Sequence, residues 1–459
     1  MFVQRFYDDR LAQAAYLIGC QQTGEAIVID SPRDTTEILA VADREEFRIT
    51  RVTETHIHAD FVSGSRELAA ATGATLLLSA EGGPDWQYAF AGTDGATLLH
   101  HGDTITLGGI RLDVRHTPGH TPEHIVFVVT DTVRGSEPVA MVSGDFIFVG
   151  DVGRPDLLEM AAKVAGTMVD SARQLFHSLK ATADLPDHLQ LWPGHGAGSA
   201  CGKALGAMPS STMGYERRTN WAFGIDDEDQ FVTTVLDGQP TPPSYFARMK
   251  QVNRDGPTIL GQRAVIPVMP IDAVPAATRS GVVIDVRPGS EYRLAHLPDT
   301  QSLPLIKAFT TWAGWLLDAD REVVVIAEHA SRANTARTAL ASIGIDRVTG
   351  WVDAAPIATH PDARASKVGE VTAAEQMISD GRTVIDLREL GEWSGGHIPG
   401  AVHHPLGRIQ ETLADLPRET PVAIHCQGGT RSGIGASVLE RMGFTDVVDL
   451  PGGYRGWAK

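Results

Sequence analysis

At 459 residues the chain exceeds what one hydrophobic core usually serves, and a composition of 42% hydrophobic and 21% charged residues is that of a globular, multi-domain protein. Lysine and arginine total 39 against 57 acidic residues, a formal charge of −18, and no basic block is long enough to follow a phosphate backbone, which argues against nucleic acid as a partner. No apolar run reaches membrane-spanning length, and Met1 to Asp9 lacks the apolar stretch of a secretory signal, so a cytoplasmic protein with no membrane partner is expected.

The first predicted domain covers residues 1–245. Short apolar strands such as Ala26–Asp30 and Ile125–Val129 alternate there with Gly/Pro-rich loops and helix-like stretches such as Ser65–Thr72. Its histidines and aspartates fall in the loops that follow strands, where a rigid framework presents chemistry. They run Thr55-His56-Ile57-His58-Ala59-Asp60-Phe61, Thr117-Pro118-Gly119-His120, Ser143-Gly144-Asp145 and Pro193-Gly194-His195. Two histidines and one carboxylate suit a first-row transition ion and leave coordination positions open, and His56, His120 and Asp145 are the candidates. Alone, His58 and His195 read as structural hydrogen-bonding residues. Cys201 follows His195 by one short turn and is expected beside the metal, as a sulfur acceptor or as a packing residue; Cys20, in Ala15–Cys20, reads as core.

Residues 237–243 hold turn formers without periodicity and read as a linker or an arm packed over the next domain. Beyond it the chain repeats itself. Val283-Ile284-Asp285-Val286-Arg287 matches Val384-Ile385-Asp386-Leu387-Arg388, His296-Leu297-Pro298 matches His397-Ile398-Pro399, and Pro304-Leu305 matches Pro405-Leu406, all at one offset. Two copies of a parallel α/β domain are predicted, at 258–355 and 366–459, since strands alternate with helical patterns in both. The copies diverge after the strand runs Val323–Ile326 and Val422–Ile424. The second has Cys426-Gln427-Gly428-Gly429-Thr430-Arg431 and the first has Glu328-His329-Ala330-Ser331-Arg332, read as one residue shorter and without a thiol. A reactive cysteine must be a thiolate, which converging backbone N–H groups, a helix N-terminus or an arginine favour. The loop from Cys426 to Arg431 meets that need. Three cysteines so far apart form no disulfide framework, so each is a separate thiol.

The order of the histidine and aspartate segments resembles the metallo-β-lactamase superfamily, which implies an αββα sandwich with metal at its edge. The family pattern usually reads His-x-His-x-Asp-His, and Phe61 stands at the last position, which implies that the second metal site of hydrolytic members is disabled. Gly153-Arg154-Pro155-Asp156 and Ser211-Thr212-Met213-Gly214-Tyr215-Glu216-Arg217 resemble the persulfide dioxygenase branch. That resemblance implies one ferrous ion per chain on His56, His120 and Asp145, with His58, Asp60 and His195 orienting ligands or binding water. Arg154 and Arg217 read equally as clamps for a carrier thiol's carboxylates or phosphates and as salt-bridge partners.

Cys426 to Arg431, with Asp386-Leu387-Arg388 and Gly396–Ala401, resembles a rhodanese. The resemblance implies a persulfide on Cys426, with Arg431 assisting and Gln427, Gly428, Gly429 and Thr430 shaping the binding loop; a tyrosine phosphatase cradle is the weaker match. Fusions of this dioxygenase with rhodanese domains carry a cysteine where Cys201 stands, which implies a catalytic role for it. The whole chain resembles a fused persulfide dioxygenase-sulfurtransferase. Its expected partners are a low-molecular-weight thiol persulfide, O2 and sulfite, and it is expected to be a homo-oligomer. A glyoxalase II-type thioester hydrolase holding zinc, and a persulfide carrier or sensor without turnover, are the alternatives.

Overall fold

The computed structural model describes residues 1–157, 159 and 166–459. The chain divides into two compact units, residues 1–263 with 342–344, and residues 264–341 with 345–459.

In the first unit β1 (Phe2–Asp8), β2 (Gln13–Cys20), β3 (Glu25–Ile29), β4 (Arg48–Thr53), β5 (Thr75–Ser79) and β6 (Thr97–Leu99) form one sheet in that order. A second sheet follows chain order from β7 (Thr104–Leu107) through β8 (Ile110–His116), β9 (Ile125–Asp131), β10 (Ala140–Gly144) and β11 (Gln190–Pro193) to β12 (Ser211–Thr212). Strand β2 is buried along its whole length, and the pleat explains how both faces find cover. Ala14, Tyr16, Ile18 and Cys20 point into the core between the sheets, opposite Leu112, Phe127 and Val129, while Ala15 and Leu17 face the core shared with helices. Strand β9 divides likewise, with Phe127 and Val129 inward and Val126 and Val128 outward.

Helices close both outer faces. Thr36–Arg44 and Ser65–Thr72 bury Ile38, Val41 and Leu68 on the first sheet. On the second, Met168–Lys180 presents Ala172, Leu175, Phe176 and Leu179, one stripe at helical spacing, beside Phe231 and Val235 of Glu228–Leu236. Four layers in the order αββα result. The unit extends past the predicted boundary at residue 245: helix Phe246–Asp255 buries Phe246, Met249 and Asn253. Asn253 donates to the carbonyls of His58 and Phe61 and accepts from the Ser63 amide, which ties this helix to the histidine loop.

The second unit holds two parallel sheets. One has the order β13 (Val268–Met269), β17 (Val348–Asp353), β16 (Val323–Ala327), β14 (Val282–Asp285), β15 (Gln301–Ser302). The other has the order β19 (Val402–His403), β18 (Thr383–Asp386), β20 (Val422–His425), β21 (Val447–Asp449). Both follow one plan, since β15, β14, β16 and β17 correspond in sequence and pairing to β19, β18, β20 and β21. The matched Asp–Arg motifs also make matched bonds. Arg287 donates to Asp285 and the Ala295 carbonyl, and Arg388 donates to Asp386 and the Gly396 carbonyl.

Register corrects the sequence reading of the thiol-less loop. Asp285 pairs with Ile326 as Asp386 pairs with His425, so Ala327 occupies the Cys426 position. The loops from Ala327 to Arg332 and from Cys426 to Arg431 are equal in length, not one residue apart. In the first copy Arg332 closes onto Glu328 at 2.9 Å, and no thiol lies there.

Candidate metal centre and cysteine loop

The metal candidates come from strand ends on both sheets of the sandwich. His56 follows β4, His120 lies between β8 and β9, Asp145 directly follows β10, and His195 follows β11. Gly144 turns the chain with φ +49, and a Cβ there would meet Thr55 Oγ1 at 2.5 Å, so only glycine lets β10 deliver Asp145 this close to the histidine loop.

His56, His120 and Asp145 are all buried and offer donor atoms within 4.8 Å of one another. Hydrogen bonds on the far side of each ring fix which nitrogen is free. His120 Nδ1 donates to the Arg154 carbonyl at 2.9 Å, leaving the Nε2 lone pair aimed at Asp145 Oδ2, 3.4 Å away. His56 Nδ1 meets Thr55 Oγ1 at 3.0 Å, and that hydroxyl donates to Asp30, so His56 also presents a bare Nε2. Burial first, then the neighbouring histidines, hold His56 well below the usual histidine range, and burial lowers His120. Both are therefore neutral, with a lone pair free to bind a cation. Neither Asp145 oxygen has a hydrogen-bond partner, although the residue is only 1% exposed. A buried carboxylate left bare between imidazole lone pairs is costly unless a cation balances it, so the donor set fits a divalent metal.

Asp60, His195 and Cys201, each expected beside the metal, form a second group of donors within 4.8 Å, all buried. His195 Nδ1 donates to the Ala12 carbonyl, and its Nε2 lies 3.4 Å from Asp60 Oδ2 and 3.5 Å from Asp145 Oδ1, so Asp145 touches both groups. Burial, then the Asp145 and Asp60 carboxylates, push the Cys201 thiol well above its ordinary range, so it keeps its proton unless a cation displaces it. Cys201 packs with Phe148, Leu157 and Phe246. Phe61, where the superfamily's histidine usually stands, is fully buried and lies against the His58 ring.

His58 belongs to a different interaction. Burial would lower its pKa, but Asp30, 3.1 Å away, with Glu54 and Asp60 outweighs burial and raises it to about 9. The imidazolium favoured by these carboxylates pairs with Asp30 and supports the histidine loop.

Arg154 and Arg217 are both held by the protein's own acceptors, the salt-bridge alternative of the two readings. Arg154, 1% exposed, donates to both Asp156 oxygens and to the Ala200 and Pro240 carbonyls. It anchors the Cys201 segment, and its own N–H donates to the Cys201 carbonyl. Arg217 donates to Asp187 and to the carbonyls of Thr182 and Leu185.

Cys426 ends up directly after β20, 2% exposed and free. The Gly429 amide donates to its sulfur at 3.1 Å, and helix Thr430–Arg441 begins at the next residue. Gly429 has φ +95, and a Cβ there would lie 2.3 Å from the Pro451 carbonyl oxygen, so the turn demands glycine. Gln427 accepts from Arg388 at 3.3 Å, while Gly428 has open space around its Cα. Arg431 is committed to a forked pair with Glu392 at 2.6 and 2.7 Å while its charge also feels the Cys426 sulfur.

Sequence reasoning also missed His124, Glu123 and Asp30. The Asp145 amide donates to His124 Nε2 at 3.1 Å, the Ile57 amide donates to Glu123, and Asp30 holds both Thr55 and His58. Glu123 and His124 stand three and four residues past His120, a proximity that was the only available signal.

Residues 8–195 match the model described as Metallo-beta-lactamase superfamily, and residues 370–459 match the Rhodanese-like domain. A hydroxyacylglutathione hydrolase of Polaromonas sp. is 31% identical over 256 residues, which are 53% of this chain and 87% of that protein. A putative sulfur carrier protein, YrkF, of Bacillus subtilis is 31% identical over 102 residues, 21% of this chain and 55% of that protein. A crystal structure of a metallo-beta-lactamase from Staphylococcus aureus is similar at 41% identity and a TM-score of 0.69, covering 77% of this chain and 98% of that one.

Proposed function

The chain belongs to the metallo-β-lactamase superfamily and ends in a rhodanese-like domain, and from that premise we propose that it is a persulfide dioxygenase coupled to a sulfurtransferase. The observation that carries the reading is one polypeptide bearing two histidines and a bare buried carboxylate in one part and a cysteine under a glycine amide in another. Residues 258–355 are read as a rhodanese copy that lost its thiol.

The overall first reaction is RSSH + O2 + H2O giving RSH and sulfurous acid. Ferrous iron, when bound by His56, His120 and Asp145, would supply a redox centre for oxidation of the outer sulfur by dioxygen. His56 and His120 hold bare Nε2 atoms toward that point because Thr55 and the Arg154 carbonyl occupy their other nitrogens. Asp145 contributes the balancing charge, and the cage of Phe148, Leu157 and Phe246 beside Cys201 excludes water from that side. In the second reaction the Cys426 thiolate attacks the outer sulfur of another RSSH. Its S–S bond breaks, RSH leaves after protonation, and a persulfide remains on Cys426. Sulfite then attacks that outer sulfur, giving thiosulfate and the Cys426 thiolate. The Gly429 amide stabilises the thiolate at both ends of the cycle.

The test is oxygen uptake by anaerobically iron-loaded protein on adding glutathione or coenzyme A persulfide, with sulfite and thiosulfate quantified. Uptake with thiosulfate formed supports the reading. Cys426→Ser is expected to keep uptake and shift the product to sulfite, and loss of all uptake in that variant refutes the division of labour. A second reading, zinc-dependent thioester hydrolysis, is favoured by the named hydrolase relative and by the second donor group of Asp60, His195 and Cys201. Thioester turnover by zinc-loaded protein without oxygen uptake would select it. Persulfidation of Cys426 without any turnover would select a carrier instead, as the sulfur carrier relative suggests.

A further inference from the structure

We propose that Arg293, which lies in the thiol-less copy, is a positioning residue for the Cys426 loop of the other copy, a role that rests on Cys426 being the sulfur carrier. Arg293 sits in helix Gly289–Leu294 and crosses to the second copy within the same compact unit. Its Nε donates to Asp449 Oδ2 at 2.6 Å, and its Nη2 donates to the Gly429 carbonyl. Gly429 is the residue whose amide donates to the Cys426 sulfur. The guanidinium thus holds, by its carbonyl, the glycine that points its N–H at the thiol.

The surroundings are built for this contact. Asp449 is 1% exposed at the end of β21 and has one oxygen, Oδ1, without any partner, so Arg293 is what balances its charge. A Cβ on Gly433 would lie 2.7 Å from Arg293 Nη2, so a glycine there makes room for the guanidinium. Further bonds fix the approach of the two copies: the Ser302 amide donates to Ser437 Oγ at 3.0 Å and Arg441 donates to Gln301 at 2.8 Å. Both second-copy residues in these bonds, Ser437 and Arg441, lie on the helix that opens at Thr430. The Ser432 hydroxyl and Gly433 amide also donate to the Gly429 carbonyl, but these are neutral bonds from within the helix, whereas the arginine supplies the charge-assisted one.

The arginine is no relic of the repeat. The spacing that relates Asp285 to Asp386 relates Arg293 to Ser394, which has no such side chain. The first copy lacks the thiol at Ala327 yet supplies a charged donor to the loop that kept it.

The experiment uses the full chain and reads the alkylation rate of Cys426 with iodoacetamide, by mass of its peptide, beside sulfur transfer from glutathione persulfide to sulfite. Arg293→Met is expected to slow both about tenfold, the worth of one charge-assisted hydrogen bond, with the KM for sulfite unchanged. Arg293→Lys is expected to recover part of the rate. Arg293→Met with Asp449→Asn is expected to stay slow, because neutralising the carboxylate does not restore the donor to Gly429. Should Arg293→Met not fold, Gly433→Ala displaces the guanidinium while keeping its charge and is expected to slow alkylation similarly. Wild-type alkylation in folded Arg293→Met or in Gly433→Ala, or full recovery in the double variant, overturns the proposal. If wild-type Cys426 gains no sulfur from the persulfide, the proposed function fails instead, and the alkylation ratios still decide the part played by Arg293.

Discussion

Replacing Asp145 with asparagine tests the metal centre through stability and needs no assay of turnover. Asp145 is 1% exposed, has no hydrogen-bond partner on either oxygen, and faces the free nitrogens of His120 and His195 at 3.4 and 3.5 Å. In metal-free protein that carboxylate is a buried, uncompensated charge, and an unsatisfied buried group costs about 1–3 kcal/mol, more when charged. Asp145→Asn keeps the shape and removes the charge, so the metal-free variant is expected to melt higher than metal-free wild type, by about 2–12 °C at 2–4 °C per kcal/mol. Wild type with ferrous iron or zinc at a thousandfold excess over its Kd gains about 4 kcal/mol, and the variant loses most of that gain. Anaerobic calorimetry of four samples, each form with and without metal, gives the answer from the transition of the first unit. A variant that melts lower without metal and keeps the full metal-induced shift would show that Asp145 is a structural carboxylate with partners of its own.

Gly429→Ala forces a Cβ into 2.3 Å contact with the Pro451 carbonyl at φ +95, so a loss of about 2–5 kcal/mol in the second unit and of most sulfur transfer is expected, read by thermal unfolding and thiosulfate yield. The His58–Asp30 pair predicts a pH dependence: His58 is raised to about 9 from an ordinary 6.5, so its contribution is full below pH 6.5 and is lost as pH rises through 9. Denaturant titrations of His58→Gln are expected to flatten that window, and an unchanged slope between pH 6.5 and 9 would disprove the pairing. Arg154→Lys leaves Asp156 and the carbonyls of Ala200 and Pro240 short of donors, so a destabilisation of about 3–5 kcal/mol and faster alkylation of Cys201 are expected; equal Cys201 protection in both proteins would remove Arg154 as its anchor.

What the sequence revealed was what depends on short-range pattern. The grouping of His56, His120 and Asp145 was legible because each candidate sits within a few residues of a strand end, and the Cys426 turn because two glycines precede a helix. The repeat was legible because Asp285-x-Arg287 and Asp386-x-Arg388 carry their bonding partners inside the motif. Long-range pairing was not. Nothing near Arg154 in the chain announces Ala200 or Pro240, and nothing near Arg293 announces Asp449, so the partners of these arginines were not readable from the sequence. Asn253 was missed because its helix lies beyond an apparent linker, and the thiol-less loop was misaligned because only strand register identifies Ala327 as the counterpart of Cys426.

The candidate ligands leave from opposite leaves of the sandwich: His56 follows the first sheet's β4, while His120 and Asp145 flank strands of the second. A cation on those three side chains is then a rivet between the leaves, closing the loop of chain from His56 to Asp145. Such a rivet acts after both sheets exist, so it belongs to the unfolding barrier and not to the folding nucleus. Stripping the metal should therefore shorten the lifetime of the folded domain while leaving its refolding speed nearly alone. On this view the residence time of a bound ion would set how long the folded domain lasts.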